Sequence, residues 1–460
     1  MRTFLRITIC LSLISLAQAL APARSLQQSA ESDFEEAVGQ YTASYKDLLV
    51  NRGVLRRDPQ KRRKVEGSET LREISETFMQ RGAPPLSEYV SSTSLSDITR
   101  ALRDKFPART ALIFYAYKGE TLQIWLIGQE GLKAYSSQPA PQQKLESVIY
   151  ALRNSLGVDS LQAARAPSLL SASPAPADVR LKTPLDAAIR EVTEVLLPST
   201  VAEHLSSVRH LIVAPILGLG TVPYAILRPF KSDVFLIEKM SVSVAPSLFD
   251  IEGDTRAWTP RYKNALVIGN PYLPPDAKWR VPPLPGAEEE AITISGMIKA
   301  RPLTGRRATK RAITWLAGRA DFLYFATHGV ASSDDPLSGG FLFLTASNLT
   351  RGFWTAREVQ NSRLRAQIAV LSACQTGLGK SHDAGVIGLS RAFQIAGVPR
   401  VVMSLWSVND RATAELMKAF VKHLRENMPS EALRLAMLEV RRERPQISHW
   451  ASFVLFGTPR

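Results

Sequence analysis

Two short motifs each end an apolar run in a residue that could do chemistry. Phe-Leu-Tyr-Phe-Ala-Thr-His-Gly, from Phe322, carries His328, and Val-Leu-Ser-Ala-Cys-Gln-Thr-Gly, from Val370, carries Cys374. Each run has the length and content of a strand that delivers its polar residue at the carboxyl end. Cys374 follows His328 by 46 positions. A thiol becomes a strong nucleophile once a neighbouring base takes its proton, and an imidazole favours the thiolate. Two strand ends of one sheet would bring the pair together. The chemistry within reach is attack on an acyl carbon. By itself, a lone cysteine is more often a small buried apolar side chain.

Other chemical signals are weaker. The six histidines are scattered and show no metal-ligand spacing, so no metal is expected. Gly-Leu-Gly-Thr-Val-Pro, from Gly218, follows an apolar run but lacks the third glycine of a dinucleotide fingerprint. No P-loop is present, and no cofactor is implied. Gly388-Leu389-Ser390-Arg391-Ala392 resembles a serine nucleophile elbow, but it falls inside a predicted helix over 386–396. Asp334 and Asp335 follow His328 in a loop, and nothing assigns either to the imidazole.

The elements that must position the pair alternate in type. Strands are predicted at His210–Ala214, Ala265–Ile268, Phe322–Ala326, Phe341–Leu344, Ile368–Leu371 and Val401–Leu405. Helices are predicted at Glu288–Met297 and Arg411–Leu424. The second of these puts Ala412, Leu416, Met417, Phe420, Val421 and Leu424 on one face. Alternating strands and helices argue for an α/β fold, with a mainly parallel sheet flanked by helices. Ligands bind such sheets at the carboxyl ends of the strands, where His328 and Cys374 would lie. Thr110 to Gly128 reads as a hairpin turning at Lys118-Gly119-Glu120, with a helix around Lys144 to Ser155. The Ala-, Pro- and Ser-rich stretch from Ala163 to Asp178 reads as a linker.

Residues 20–107 read as a short, polar helical region. One helix is predicted to start at Ser32-Asp33-Phe34-Glu35-Glu36, followed by a Val38, Tyr41, Tyr45, Leu48, Leu49 stripe. Another starts at Ser68. No 34-residue repeat is visible. Met1 to Ala19 has the form of a secretory signal. Arg2 and Arg6 precede the apolar Ile7–Leu16 run, and Ala17-Gln18-Ala19 offers a cleavage site. The run is too short to span a bilayer, and no later segment is long and apolar enough to do so. The expected location is periplasmic or secreted, with no transmembrane segment after signal removal. Cleavage would remove Cys10 and leave Cys374 without a disulfide partner.

The 460 residues are 45% hydrophobic and 22% charged, which excludes wholesale disorder. The formal net charge is +15. The densest basic run, Arg56 to Lys64, lacks aromatic interleaving, so a solvated linker is favoured and no nucleic acid is expected.

The chain from about residue 108 onward resembles the CHAT domain family, caspase-like cysteine proteases related to separase. The resemblance rests on Leu-Pro-Gly-Ala-Glu-Glu-Glu-Ala at Leu284, Tyr-Phe-Ala-Thr-His-Gly at Tyr324 and Leu-Ser-Ala-Cys-Gln-Thr-Gly at Leu371. Gly-Val-Ile-Gly-Leu-Ser-Arg-Ala-Phe at Gly385, Ser-Leu-Trp-Ser-Val-Asn-Asp at Ser404 and Trp-Ala-Ser-Phe-Val-Leu-Phe-Gly at Trp450 continue it in order. It implies a caspase-like domain over 108–460, with 261–460 the catalytic half and 108–260 a degenerate half that buttresses it. Cys374 would be the nucleophile and His328 the general base. The backbone N–H groups of Gly329 and Cys374 would form the oxyanion hole. The substrate would be a protein or peptide. The separase-like stretch also implies cleavage after basic residues, with Asp410 as the carboxylate that binds them. Asp410 is equally suited to cap the helix that follows it. Asp383 is a second candidate, although Ala384 stands where relatives carry an acidic residue. A thiolate outside the cytoplasm is prone to oxidation, so a latent site opened by an activating protein partner or a cleavage is expected. The alternative is a catalytically silent CHAT-fold interaction or scaffold protein.

Overall fold

The computed structural model describes residues 27–43, 93–157, 184–216, 218–245, 247–252, 256–260, 262–276, 281–330, 340–373, 380–382, 385–406 and 410–459. The predicted signal segment, the Arg56–Lys64 run, the Ser68 helix and the Ala163–Asp178 linker lie outside them, as do Cys374 and Asp383.

Eleven strands form one sheet. Along the chain these are β1 (Thr110–Lys118), β2 (Thr121–Gly128), β3 (Gly131–Pro139), β4 (His210–Ala214), β5 (Ser241–Val244), β6 (Ala265–Pro271), β7 (Pro302–Gly305) and β8 (Phe322–Ala326). After the short β9 (Gly329–Val330), β10 (Phe341–Phe343) and β11 (Phe353–Thr355), the sheet takes β12 (Ile368–Ser372). Beyond the β13 (Lys380–His382) and β14 (Gly385–Ile387) hairpin, it takes β15 (Arg400–Ser404) and β16 (Phe453–Gly457). The spatial order is β3-β2-β1-β4-β5-β16-β15-β12-β8-β6-β7. Antiparallel pairing is confined to β1/β2, β2/β3 and β15/β16, so the sheet is mainly parallel as expected. The central strands are buried throughout: all five residues of β8 and all five of β15 are buried. Burial on both faces is what a parallel sheet covered by helices requires.

The sheet has two halves that meet where β5 pairs with β16 through Val244 and Phe456. Side chains reinforce this seam. Arg434 donates to the carbonyls of Ile237 and Glu238 at 2.8 and 2.9 Å. Arg441 pairs with the Glu238 carboxylate at 2.8 Å. Arg391 donates to Asp250 at 2.8 Å, with both side chains largely buried.

Residues 27–43 form α1, which begins at least five residues ahead of the Ser32 start expected from sequence. Val38 and Tyr41 of its predicted stripe are buried. The helix packs on the β1/β2 hairpin. The Phe34 ring meets Phe114 and Trp125 edge-on at 5.6 and 5.7 Å, and Trp125 Nε1 donates to the Ala30 carbonyl at 2.9 Å. The helix α2 (Leu95–Lys105) carries a Ser94/Asp97 capping box.

Two of the helices that flank the C-terminal half bear on the site. The first, α3 (Pro285–Ile298), starts with proline at its first turn. It lies so close to β6 that a Cβ on Gly269 would fall 2.4 Å from Ala291 Cβ, so only glycine fits there. Asn270, in the left-handed region, accepts from the Leu284 N–H at 2.8 Å and donates to Glu288 at 3.1 Å, fixing where α3 begins. The second, α4 (Asp410–His423), buries five of the six residues of its predicted face, and the sixth, Leu424, is buried just past its end. The sequence-based helix over 386–396 is shorter in the structure. Gly385–Ile387 form β14, and the helix spans Leu389–Ile395. Phe341–Phe343 form a strand, but in a separate three-stranded sheet with β9 and β11.

Candidate active site

The register of two strands organises the site. β8 and β12 are parallel neighbours, with Ala326 opposite Ser372. His328 lies two residues beyond the first, and Cys374 two residues beyond the second. The 46-residue spacing read from sequence is therefore also the register offset between the strands. Cys374 itself lies outside the described residues. The chain leading to it is held, because Ser404 Oγ of β15 donates to the Ala373 carbonyl at 2.7 Å.

His328 is half-buried, and three contacts around it fix its position. Thr327 Oγ1 donates to the Phe343 carbonyl at 2.8 Å, and the Phe343 N–H donates to the His328 carbonyl at 3.0 Å. The Phe343 ring meets the imidazole edge-on at 6.0 Å. His328 Nε2 lies 2.8 Å from the Pro282 carbonyl oxygen. A carbonyl only accepts, so this bond selects the tautomer protonated at Nε2 and makes Nδ1 the basic nitrogen. Sequence reasoning found no third member for the dyad. The Pro282 carbonyl is a backbone partner of the imidazole, and such a partner leaves no trace in residue type.

Gly329 opens β9, where it pairs with Leu342. Asp410 is the first residue of α4, which makes it a helical residue rather than the one before the helix. Its side chain and Asp383 lie outside what the structure describes.

Beneath the strand ends lies a buried polar group that the sequence did not single out. Glu290 of α3 is 5% exposed, and its Oε1 accepts from the Tyr324 hydroxyl at 2.7 Å. Burial, with Glu290 alongside, holds the Tyr324 phenol well above its ordinary pKa. It therefore stays protonated and donates. The Ser372 hydroxyl also reaches this phenol. Thus the motifs at Leu284, Tyr324 and Leu371 meet through three side chains. Within Glu288-Glu289-Glu290, the signal available was position: only Glu290 shares the buried face of Ala291 and Ile294.

Among the described residues, no group of three or more His, Cys, Asp or Glu side chains could hold a metal ion. No helix among them is long and apolar enough to cross a membrane.

A family profile for the CHAT domain matches residues 186–458. Human tetratricopeptide repeat protein 28 is 28% identical over 285 residues, which is 52% of this chain and 12% of the human protein. The mouse protein of the same name matches over 282 residues at 28% identity, with the same two coverages. The chain thus spans about an eighth of the curated relatives it matches. Among solved structures, a chain of the Saccharomyces cerevisiae separase–securin complex superposes with a TM-score of 0.50 at 11% identity. That superposition covers 91% of this chain and 33% of the yeast one, and it bears on fold alone.

Proposed function

This chain belongs to the CHAT domain family, and on that premise we propose that it is an exported caspase-like cysteine endopeptidase that cleaves after basic residues. The observation that carries the reading is the β8/β12 register, which leaves His328 and Cys374 at matching offsets beyond paired residues. The Pro282 carbonyl adds a base of defined tautomer. In the proposed reaction His328 Nδ1 takes the Cys374 thiol proton, and the thiolate attacks the scissile carbonyl carbon. Backbone N–H groups of Gly329 and Cys374 receive the oxyanion. As the tetrahedral intermediate collapses, the C–N bond breaks and the imidazolium returns its proton to the departing amine. A thioester remains. Water, deprotonated by His328, then releases the carboxylic acid and restores the thiol. Basic P1 preference implies a carboxylate in the pocket, for which Asp410 and Asp383 are the candidates from sequence.

Cys374→Ala is expected to abolish peptide hydrolysis while the protein stays folded, and His328→Ala to lower it by at least about a hundredfold. Equal hydrolysis by Cys374→Ala and the parent protein would overturn the mechanism. Export is tested by mass spectrometry of the protein from its host. An N-terminus near Leu20 is expected, and an intact Met1 on soluble cytoplasmic protein would refute it.

A second reading, a silent interaction module, draws support from the sequence relatives, whose name describes repeats rather than proteolysis. Rapid labelling of Cys374 by a thiol probe, lost in His328→Ala, favours the enzyme. Slow labelling that ignores His328 favours the module.

A further inference from the structure

Between Lys299 and Arg319 the chain carries seven lysines and arginines and no aspartate or glutamate. The segment runs from the end of α3 through the edge strand β7 and the helix Lys310–Ala317 towards β8. Arg306, Arg307, Arg311 and Arg319 are exposed, and none of them enters an ion pair among the described residues. Two acids that border the segment are engaged. Glu358 pairs with Lys310 at 2.6 Å, and Asp321 accepts from the Lys263 and Asn264 N–H groups at 3.1 and 3.3 Å. We propose that this basic ridge docks an acidic polypeptide, an extended run of about six residues rich in Asp and Glu. The inference goes beyond the endopeptidase reading and holds whether or not the chain hydrolyses peptides.

Local structure gives the charges a fixed arrangement. Thr309 caps the helix by accepting from the Ala312 N–H at 3.2 Å, and Ile313 and Ala317 are buried on its inner face. Arg311 and Trp315 lie one turn apart and share the outer face. Trp315 is 60% exposed. Arg319 stacks on it with Cζ 4.1 Å from the ring centroid, and its Nη1 donates to the Trp315 carbonyl at 3.0 Å. At the other end of the helix, Arg306 Cζ lies 3.9 Å from the centroid of the Tyr272 ring. Each ring holds a guanidinium in place, so less side-chain freedom is lost when an anion binds. A stacked guanidinium still presents its N–H edge, which matches a carboxylate bidentately.

Charge and geometry favour a polypeptide over other polyanions. A membrane-bound helix inserts its apolar face, whereas Ile313 and Ala317 belong to the protein's own core. Single-stranded nucleic acid stacks its bases on exposed aromatic rings, and arginines already lie over Trp315 and Tyr272. What stays open is a row of donors for carboxylates. Lys310 holds the helix down instead, through the Phe353 carbonyl at 2.7 Å and Glu358. The helix is about 12 Å long, and the flanking arginines lengthen the row to roughly 20 Å. An extended chain rises about 3.3 Å per residue, so about six residues reach from Arg307 to Arg319.

The experiment separates the ridge from the net charge of the chain. A fluorescein-labelled peptide of alternating Glu and Asp is titrated against the full chain by fluorescence anisotropy at about 0.05 M salt, where surface charges are weakly screened. The same peptide with Gln and Asn, an oligothymidylate and phosphatidylserine vesicles serve as comparison ligands. The acidic peptide should bind, and Arg307→Gln with Arg311→Gln should weaken it at least about tenfold. Lys144→Gln with Arg190→Gln removes the same charge from exposed positions in the N-terminal half, and should change affinity less than about twofold. Trp315→Ala keeps every charge but frees Arg319, and should weaken binding about threefold. All the substituted side chains are exposed, so the variants keep the fold. Equal losses in the two double variants would show that affinity follows net charge alone, and would overturn the proposal. So would equal binding of the neutral peptide, no binding of the acidic one, or ridge-dependent binding confined to oligothymidylate or vesicles.

Discussion

His210 and His328 sit on the two halves of one sheet, at opposite ends of their strands. His210 begins β4, where its Nδ1 lies 2.7 Å from Ser241 Oγ of the neighbouring strand. His328 follows the end of β8, where a backbone carbonyl sets its tautomer. Beyond β4 the chain continues into Pro215 and the buried Ile216, which offer no proton chemistry. The buried tyrosines repeat the contrast. Tyr115 of β1 donates to the Leu196 carbonyl at 3.0 Å, a bond that closes on backbone. Tyr324 of β8 donates to the buried Glu290 carboxylate beneath the strand ends. The same residue types in the same sheet thus serve packing in one half and can serve chemistry in the other. Position relative to the carboxyl ends of the strands decides which.

The sharpest way to break this division is to damage the N-terminal half alone. Phe34 is fully buried between Phe114 and Trp125, far along the sheet from β8 and β12. Phe34→Ala should cost about 3–5 kcal/mol of stability, read as a lowered denaturant midpoint. Hydrolysis per folded molecule should stay within about twofold of the parent, since no group at the dyad has moved. Cys374→Ala should show the opposite signature. A Phe34→Ala protein that is folded but inactive would show that the two halves act as one unit.

How much of this was legible in the sequence varied with the kind of signal. The hairpin over Thr110–Gly128 was plain, because apolar runs flank a turn whose Gly119 takes φ +61°. The strand β3 was not foreseen. As an edge strand its residues are half-exposed, so Leu-Lys-Ala-Tyr-Ser-Ser carries no clean apolar alternation. The two motifs at β8 and β12 were recognisable because buried parallel strands are apolar throughout and end abruptly in polar residues. The small sheet that takes Phe341–Phe343 was missed, since a short apolar run says nothing about which partner it pairs with. Pro282 acts through a carbonyl that any residue would supply. Glu290 sat in a glutamate run that resembles a solvated surface, and its place on the buried face of α3 with Ala291 and Ile294 shows only once the helix is packed.

The smallest expected effect sharpens the contrast between the two histidines. Burial lowers the pKa of His210, and the nearby Arg209 and Arg434 guanidinium groups act in the same direction against the opposing pull of Glu431. A histidine whose folded pKa lies below its unfolded value of about 6.5 favours the folded state only while it is neutral. Above about pH 6.5 both states are neutral and nothing is lost. As the pH falls from there through the folded pKa, the unfolded chain binds the proton more readily, and stability declines. His210→Asn keeps a polar group near Ser241 but cannot titrate. Between about pH 7.5 and 5 its melting temperature should fall less than the parent's, by on the order of 1–2 °C. Parallel melting profiles would show that His210 carries no linkage. A steeper profile in His210→Asn would reverse the sign and imply that a protonated His210 stabilises the fold. The pH profile of hydrolysis should be the same in parent and variant, because His328, the proposed general base, lies beyond the other end of a different strand.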